Sequence, residues 1–304
     1  MTALFLRKKA VRRSSGLTAF LFLAPFLTLF VVFRAGPVLA SFVLSFATYD
    51  GLSRPIWVGV ENYRNILFGT EAATRLFWKS VGNTLYYTVG ELVLEMTIGL
   101  ALALLVNAQR LRAKAFWRSV YYLPVITSAV AAAMIWLWIY NSQGGLLNLL
   151  LQALGLPPQS WLGNPRLAMP SIIIMAVWGG AGWSMVIYLA GLQGIPFTLY
   201  EAARIDGASA WRQFLHITLP LLQPVTFFVV IMSCISNLQV FSQMFVMTGG
   251  GPLNATISVT LQIWTNAFRF FRLGYASAMS FLLFVVIFAI SVLNSRVLGG
   301  SVEY

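Results

Sequence analysis

Residues 201–224, EAARIDGASAWRQFLHITLPLLQP, are a polar island between long apolar runs, and no bilayer core can hold them. Glu201, Arg204, Asp206, Arg212 and His216 fall within it. The local signals are nonetheless those of ordered helix. Pro196 can sit at or just before a first turn, and Thr198 with Glu201 has the Thr-x-x-Glu spacing of a capping box. Gly207 interrupts the pattern where a helix would stop. Ser209 is placed to cap a second short helix with Trp211, Phe214 and Leu215 on one side. Pro220 is expected to open the next apolar run. The stretch reads as a helix–glycine–helix projection, too polar to cross a membrane and too ordered to be a slack loop.

The rest of the chain explains why such a projection stands out. Of 304 residues 59% are hydrophobic and only 9% charged, where a soluble domain carries about a quarter charged. Such a chain cannot cover a water-facing surface, so the expected fold is an all-α integral membrane protein. The net charge of +12 is spread in short clusters at the edges of apolar runs. That distribution fits topology signals rather than a nucleic-acid-binding face. Cys234 is the single cysteine, so no intramolecular disulfide can form.

Six spans are expected, at about 17–46, 81–106, 119–140, 167–192, 219–246 and 273–297, with a coupling loop at 196–218, a basic N-terminal segment 1–16 and a tail 298–304. The first apolar run is too long for a signal peptide. Gly36-Pro37 is expected to bend or break its outer half, and Arg34 beside them to snorkel. Residues 47–79 read as a polar connection. Trp136, Trp138 and Tyr140 read as an interfacial belt, and Gly179-Gly180-Ala181-Gly182 as a site of close backbone approach. With the N-terminus inside, twelve Lys and Arg lie in inner segments against seven in outer ones, and Arg34 is unassigned. Both termini and the polar island are therefore expected in the cytoplasm.

Little catalytic chemistry is present. The chain has no G-x-x-x-x-G-K-[ST], so any ATP hydrolysis must belong to another polypeptide. It has no H-E-x-x-H, and His216 is its one histidine. Glu91 and Glu95 share one face of the second span. Burial against a neighbouring helix or subunit outweighs a proton relay for them, although an ion-coupled secondary transporter using both is the alternative to carry. Ser233 and Asn237, four apart on the fifth span, have the hydrogen-bonding character that a sugar path needs, with Gly180, Trp183 and Trp178 on the fourth. Interhelical hydrogen bonding is the competing role for Ser233 and Asn237.

The spacing Glu201-Ala202-Ala203, three residues, Gly207, nine residues, Ile217, one residue, Leu219-Pro220 resembles the cytoplasmic EAA loop of ABC importer permeases. Val58-Gly59-Val60-Glu61-Asn62-Tyr63 is similar to a stretch after the first span of maltose-permease-like subunits, and Thr248-Gly249-Gly250-Gly251-Pro252 to their outer GGP turn. The resemblance covers nearly the whole chain. It implies a MalF-like permease of a carbohydrate importer in a bacterial or archaeal cell membrane, with the type I importer fold and no enzymatic activity of its own. It also implies the partners: a second, MalG-like permease, an ABC ATPase dimer that binds the ATP and magnesium, an extracytoplasmic solute-binding protein, and lipid. By the same resemblance Glu201, Ala202, Ala203, Asp206, Gly207, Trp211, Phe214 and Pro220 couple to the ATPase. Gly180, Trp183, Ser233 and Asn237 fall where such subunits line their sugar site. Ala176, Gly179 and Val240 depart from that pattern, and they bear on which sugar is carried.

Overall fold

The computed structural model describes residues 18–108 and 110–298. The basic segment 1–16 and tail residues 299–304 lie outside the described residues. The chain forms two compact units. One comprises residues up to Arg64 with Asn266–Phe281, and the other Asn65–Thr265 with the residues from Leu282 onward.

In the first unit α1 (Thr18–Leu44) is an apolar helix of membrane-spanning length, exposed along most of its course. The expected break at Gly36-Pro37 does not occur. A π-helical turn, Val31–Ala35, lies just ahead of the proline, and the Gly36 amide donates to the Val31 carbonyl five residues back. The extra residue in that turn lets the helix continue through a proline. Arg34 sits exposed within the turn.

The 47–79 connection is more ordered than its polarity implies. β1 (Ala47–Thr48) pairs antiparallel with β2 (Ile56–Trp57), and α2 (Glu61–Phe68) follows. Asn62 Nδ2 donates to the Ser45 carbonyl at 2.9 Å and the Ala47 carbonyl at 3.0 Å. Tyr63 pairs its hydroxyl with Ser45 Oγ at 2.7 Å. These bonds fasten the end of α1, where carbonyls lack helical partners. Between the strands Asp50 Oδ1 accepts the Ser53 and Leu52 amides, which hold its carboxyl down at about 2.

The second unit is built around α3 (Ala72–Asn107), whose 36 residues exceed the ~20 needed to cross a bilayer. Its first two turns absorb the end of the expected connection. Lys79 and Asn83 project from it to tie down the GGP turn: Lys79 Nζ donates to the Leu253 carbonyl at 2.7 Å, and Asn83 Nδ2 to the carbonyls of Asn254 and Ile257, each at 3.0 Å.

The expected third span is bent. α4 (Lys114–Tyr122) continues as a 3-10 turn, Leu123–Ile126, and meets α5 (Ala129–Ile139) at 96°. Pro124 disturbs the helical ladder there, and Thr127 and Ser128 turn the backbone out of helix, with ψ of 133° and 134°. Tyr140 corrects the belt assignment: it is buried, and its hydroxyl donates to the Ser171 carbonyl at 2.9 Å. Trp138 is exposed. α6 (Leu146–Ala153) then leads to α7 (Ala168–Gly194).

α3 and α7 pack closely because small residues face each other. A Cβ on Gly99 would come within 2.6 Å of the Ser184 Cβ. Gly182 likewise lets α4 approach α7, since a Cβ there would collide with the Tyr121 carbonyl. Tyr87, Ile172, Met185, Tyr188, Leu222, Val229 and Met244 form the best-buried parts of this unit.

α8 (Phe197–Ile205) and α9 (Ala210–Leu221, with a π turn at Phe214–Thr218) make up the polar island. α10 (Gln223–Leu238) departs from α9 at 62°. The expected opening at Pro220 is therefore corrected. Pro220 lies before the bend, and Pro224, in the first turn of α10, opens the apolar helix. The fifth run also breaks near Gln239, and α11 (Ser242–Thr248) carries it onward. α12 (Val259–Trp264) and α13 (Leu273–Leu298) complete the order. Among the described residues four helices are long and apolar enough to cross a membrane, or up to six spans if each bent pair counts as one.

Candidate functional site

A cavity of about 420 Å³ opens among α3, α7, α10 and the bend between α4 and α5. Gly180, Trp183, Ser233 and Asn237 all line it, together with Glu91 and Glu95. Residues the sequence reading did not single out line it too: Tyr87, Thr127, Met175 and Met232. The hydroxyl and thioether groups among them carry no local pattern that distinguishes cavity lining from packing.

Two carboxylates on α3 organise the polar wall. Glu91 and Glu95 are each only 4% exposed, so each needs donors. Asn237 Nδ2 donates to Glu91 Oε2, and Ser184 Oγ to Glu95 Oε1. Ser233 Oγ donates to Glu95 Oε2 at 2.9 Å. One turn of α3 is thereby bonded to both α7 and α10. Ser233 and Asn237 line the cavity and bond between helices at once. The i, i+4 spacing of the two acids indicates their shared face, whereas their donors come from 89 to 146 residues away and leave no local signal.

Gly180 is small for a visible reason: a Cβ there would stand 3.3 Å from Glu91 Oε1 and from the Glu95 carboxyl carbon. Trp183 lies tilted against Phe228, with ring centroids 6.3 Å apart. Of the departures from the maltose-type pattern, Ala176 and Gly179 line the cavity and Val240 lies in the apolar core. Trp178 packs edge-on against Trp136 instead.

The second candidate region is the projection. The Pro196 backbone starts α8, and no side chain caps it. This corrects the capping-box expectation: Thr198 is already inside the first turn, so its hydroxyl is past the cap position, and Glu201 is exposed in mid-helix. The stop at Gly207 has a defined geometry. Gly207 has φ +76°; its amide donates to the Arg204 carbonyl at 3.1 Å, and the Ala208 amide to the Ala203 carbonyl at 2.8 Å. This is a Schellman closure, whose left-handed residue favours glycine. Ser209 Oγ accepts the Arg212 amide and caps α9. The Tyr200 hydroxyl meets Thr218 Oγ1 at 3.0 Å and bonds α8 to α9.

Among its charged residues the projection also presents large apolar side chains. Ile205 is 86% and Trp211 65% exposed, and Trp211 stacks on Phe214 with centroids 5.5 Å apart. Glu201, Ala202, Asp206 and Pro220 are exposed as well, and Ala203 is half-buried.

Comparison with known proteins places this architecture. Residues 95–298 match the family described as binding-protein-dependent transport system inner membrane component. The chain is 34% identical over 303 residues to the probable ABC transporter permease protein YesP of Bacillus subtilis (strain 168), covering 98% of this chain and 96% of that one. It is 37% identical over 282 residues to the trehalose/maltose transport system permease protein MalF of Thermococcus litoralis, covering 91% and 92%. A solved structure of a bacterial ABC transporter involved in the import of the acidic polysaccharide alginate superposes with a TM-score of 0.79 at 24% identity, over 95% of this chain and 96% of that one. The chain therefore belongs to the binding-protein-dependent transport system inner membrane component family, as a MalF-like, multi-pass permease subunit.

Proposed function

We propose that this permease forms part of the translocation path of an ATP-driven, binding-protein-dependent importer, and that its solute is a sugar or sugar-like molecule. The carrying observation is the cavity: a space of about 420 Å³ lined by apolar and polar groups together, with an aromatic plane, an amide and hydroxyls converging on it. Those are the groups that grip hydroxyl-bearing solutes. The sugar-specific names of several relatives support the solute class.

In this reading the chain makes six spans with both termini in the cytoplasm, each bent helix pair counting as one span. Its partners are a second permease, an extracytoplasmic binding protein and an ATPase dimer that supplies ATP and magnesium chemistry. The projection α8–α9 docks on the ATPase through Trp211, Phe214 and Ile205, with the Glu201, Ala202, Ala203, Asp206 and Gly207 turn setting its shape. α9 is joined to α10 through a bend, and α10 carries Ser233 and Asn237. A push on the projection is thus transmitted to the side chains that bond to Glu91 and Glu95. An ion-coupled transporter using those two acids would leave the exposed apolar side chains of the projection without a role.

The test is uptake of labelled neutral oligosaccharides into vesicles holding the assembled complex. Trp183→Ala and Asn237→Leu are expected to lower uptake while the ATPase stays attached. Unchanged uptake in both variants would assign these residues to packing alone.

A further inference from the structure

The cavity wall carries two acids, Glu91 and Glu95, and no lysine, arginine or histidine among its described lining residues. Both oxygens of Glu95 accept hydrogen bonds, from Ser184 and Ser233, and Glu91 accepts one from Asn237. A carboxyl group accepts through its oxygens whether or not it is protonated; the sign of the wall follows instead from two acids standing in it with no cation in its described lining. Gly180 strengthens the effect. With no side chain there, the cavity reaches to within contact of both carboxyl groups, as the 3.3 Å separations from its Cβ position show.

We infer that Glu91 and Glu95 act as a charge filter: the path admits uncharged or amine-bearing saccharides and excludes uronates and phosphorylated sugars. The inference rests on the cavity being the solute path. A neutral sugar can donate hydroxyls to these carboxylates, and an ammonium group is attracted to them. A carboxylate-bearing sugar meets like charge in a site of low dielectric with no cation to offset it. The solved transporter of similar fold imports an acidic polysaccharide. The same architecture would here serve solutes of the other charge classes, with the sign of the cavity wall making the difference.

The cavity's sign can be read without knowing the natural solute. The single cysteine is removed by Cys234→Ser, and Ser236→Cys places a thiol at an exposed position in the cavity wall. The full-length chain is then treated, in its native membrane with its partners, with a cationic reagent (trimethylammonioethyl methanethiosulfonate) or an anionic one (sulfonatoethyl methanethiosulfonate). The cation-to-anion rate ratio is expected to exceed that of a free small thiol by about tenfold or more. Glu91→Gln and Glu95→Gln, singly and together, should move it back towards the free-thiol value. Thr127→Cys, on the α4–α5 side of the cavity, should repeat the result and replaces Ser236→Cys if that variant fails to assemble. A ratio equal to the free thiol's at both positions overturns the filter, as does a raised ratio that survives both glutamine substitutions. In either case the uptake test still stands for the path itself. Reporters that react with neither reagent at either position show a cavity closed to solutes and overturn both readings.

Discussion

The cavity and the projection are held in opposite ways. Around the cavity, side chains do the holding: Glu91 and Glu95 are buried, and they bind α7 and α10 to α3 through Ser184, Ser233 and Asn237. In the projection the turn is closed by backbone alone, through the Schellman bonds at Gly207, with single exposed or part-buried side-chain bonds at Ser209 and Tyr200 beside it, while Ile205 and Trp211 stay exposed. A buried polar network is disrupted when one partner is removed, because the other keeps its desolvation cost. A backbone-defined turn tolerates side-chain changes until its φ becomes inaccessible. The two regions should therefore respond to different kinds of substitution.

Gly207→Val should have the largest effect. Nothing lies within 4 Å of a Cβ at that position, so steric crowding plays no part. The cost comes from φ +76°, which a β-branched residue resists by roughly 1–2 kcal/mol or more. The turn should reopen and misdirect Trp211. ATP-driven uptake in reconstituted vesicles should fall to near background while the helices remain inserted, as protease protection would show. Normal uptake would mean that the turn's shape is not needed.

Asn237→Leu comes next. It removes the donor to Glu91 and leaves a buried carboxylate short of a partner, at about 1–3 kcal/mol. Uptake should drop about tenfold, and the detergent-solubilised complex should melt earlier. Asn237→Asp, which adds a third carboxyl group beside Glu91 and Glu95, should be worse than Asn237→Leu if the network is as drawn. The reverse ranking would show that Asn237 contributes packing alone.

Gly182→Ala tests the close packing of α7 on α4 behind the cavity. The added methyl would meet the Tyr121 carbonyl, and overpacking of this kind costs about 1–3 kcal/mol. The expected result is a lower melting temperature with a milder loss of uptake. The smallest effect belongs to Ser209→Ala. Its cap bond is long, 3.4 Å, so the loss should lie near the low end of the usual range of about 0.5–2 kcal/mol. Uptake should stay within about twofold of normal. A large loss would show that the Ser209 hydroxyl contacts a partner rather than its own helix.

The sequence made the projection legible because its determinants are local: a glycine at a left-handed position, a serine three residues before the amide it caps, and polarity against apolar flanks. Even there Thr198 and Glu201 matched a capping pattern that Pro196 made unnecessary by starting the helix earlier. The cavity was legible only in part. The shared face of Glu91 and Glu95, and of Ser233 and Asn237, followed from helical spacing, but which face met which did not. Ser184 carried no distinguishing pattern before α7 was laid against α3. The bends were missed for a related reason. Apolar composition continues through Pro124 and through Leu222, so hydropathy reports a straight span where the backbone turns by 96° and 62°. Tyr140 looked interfacial because it ends an aromatic run, yet its hydroxyl finds an internal carbonyl.

The most direct test of the coupling account is photo-crosslinking from the projection in the assembled complex. Benzoylphenylalanine is placed at Trp211, with Trp138, 85% exposed on α5, as the comparison site. The account predicts a covalent adduct between position 211 and the ATPase subunit, and none with the ATPase from position 138. An adduct from 211 only to lipid, or to an extracytoplasmic protein, would contradict it.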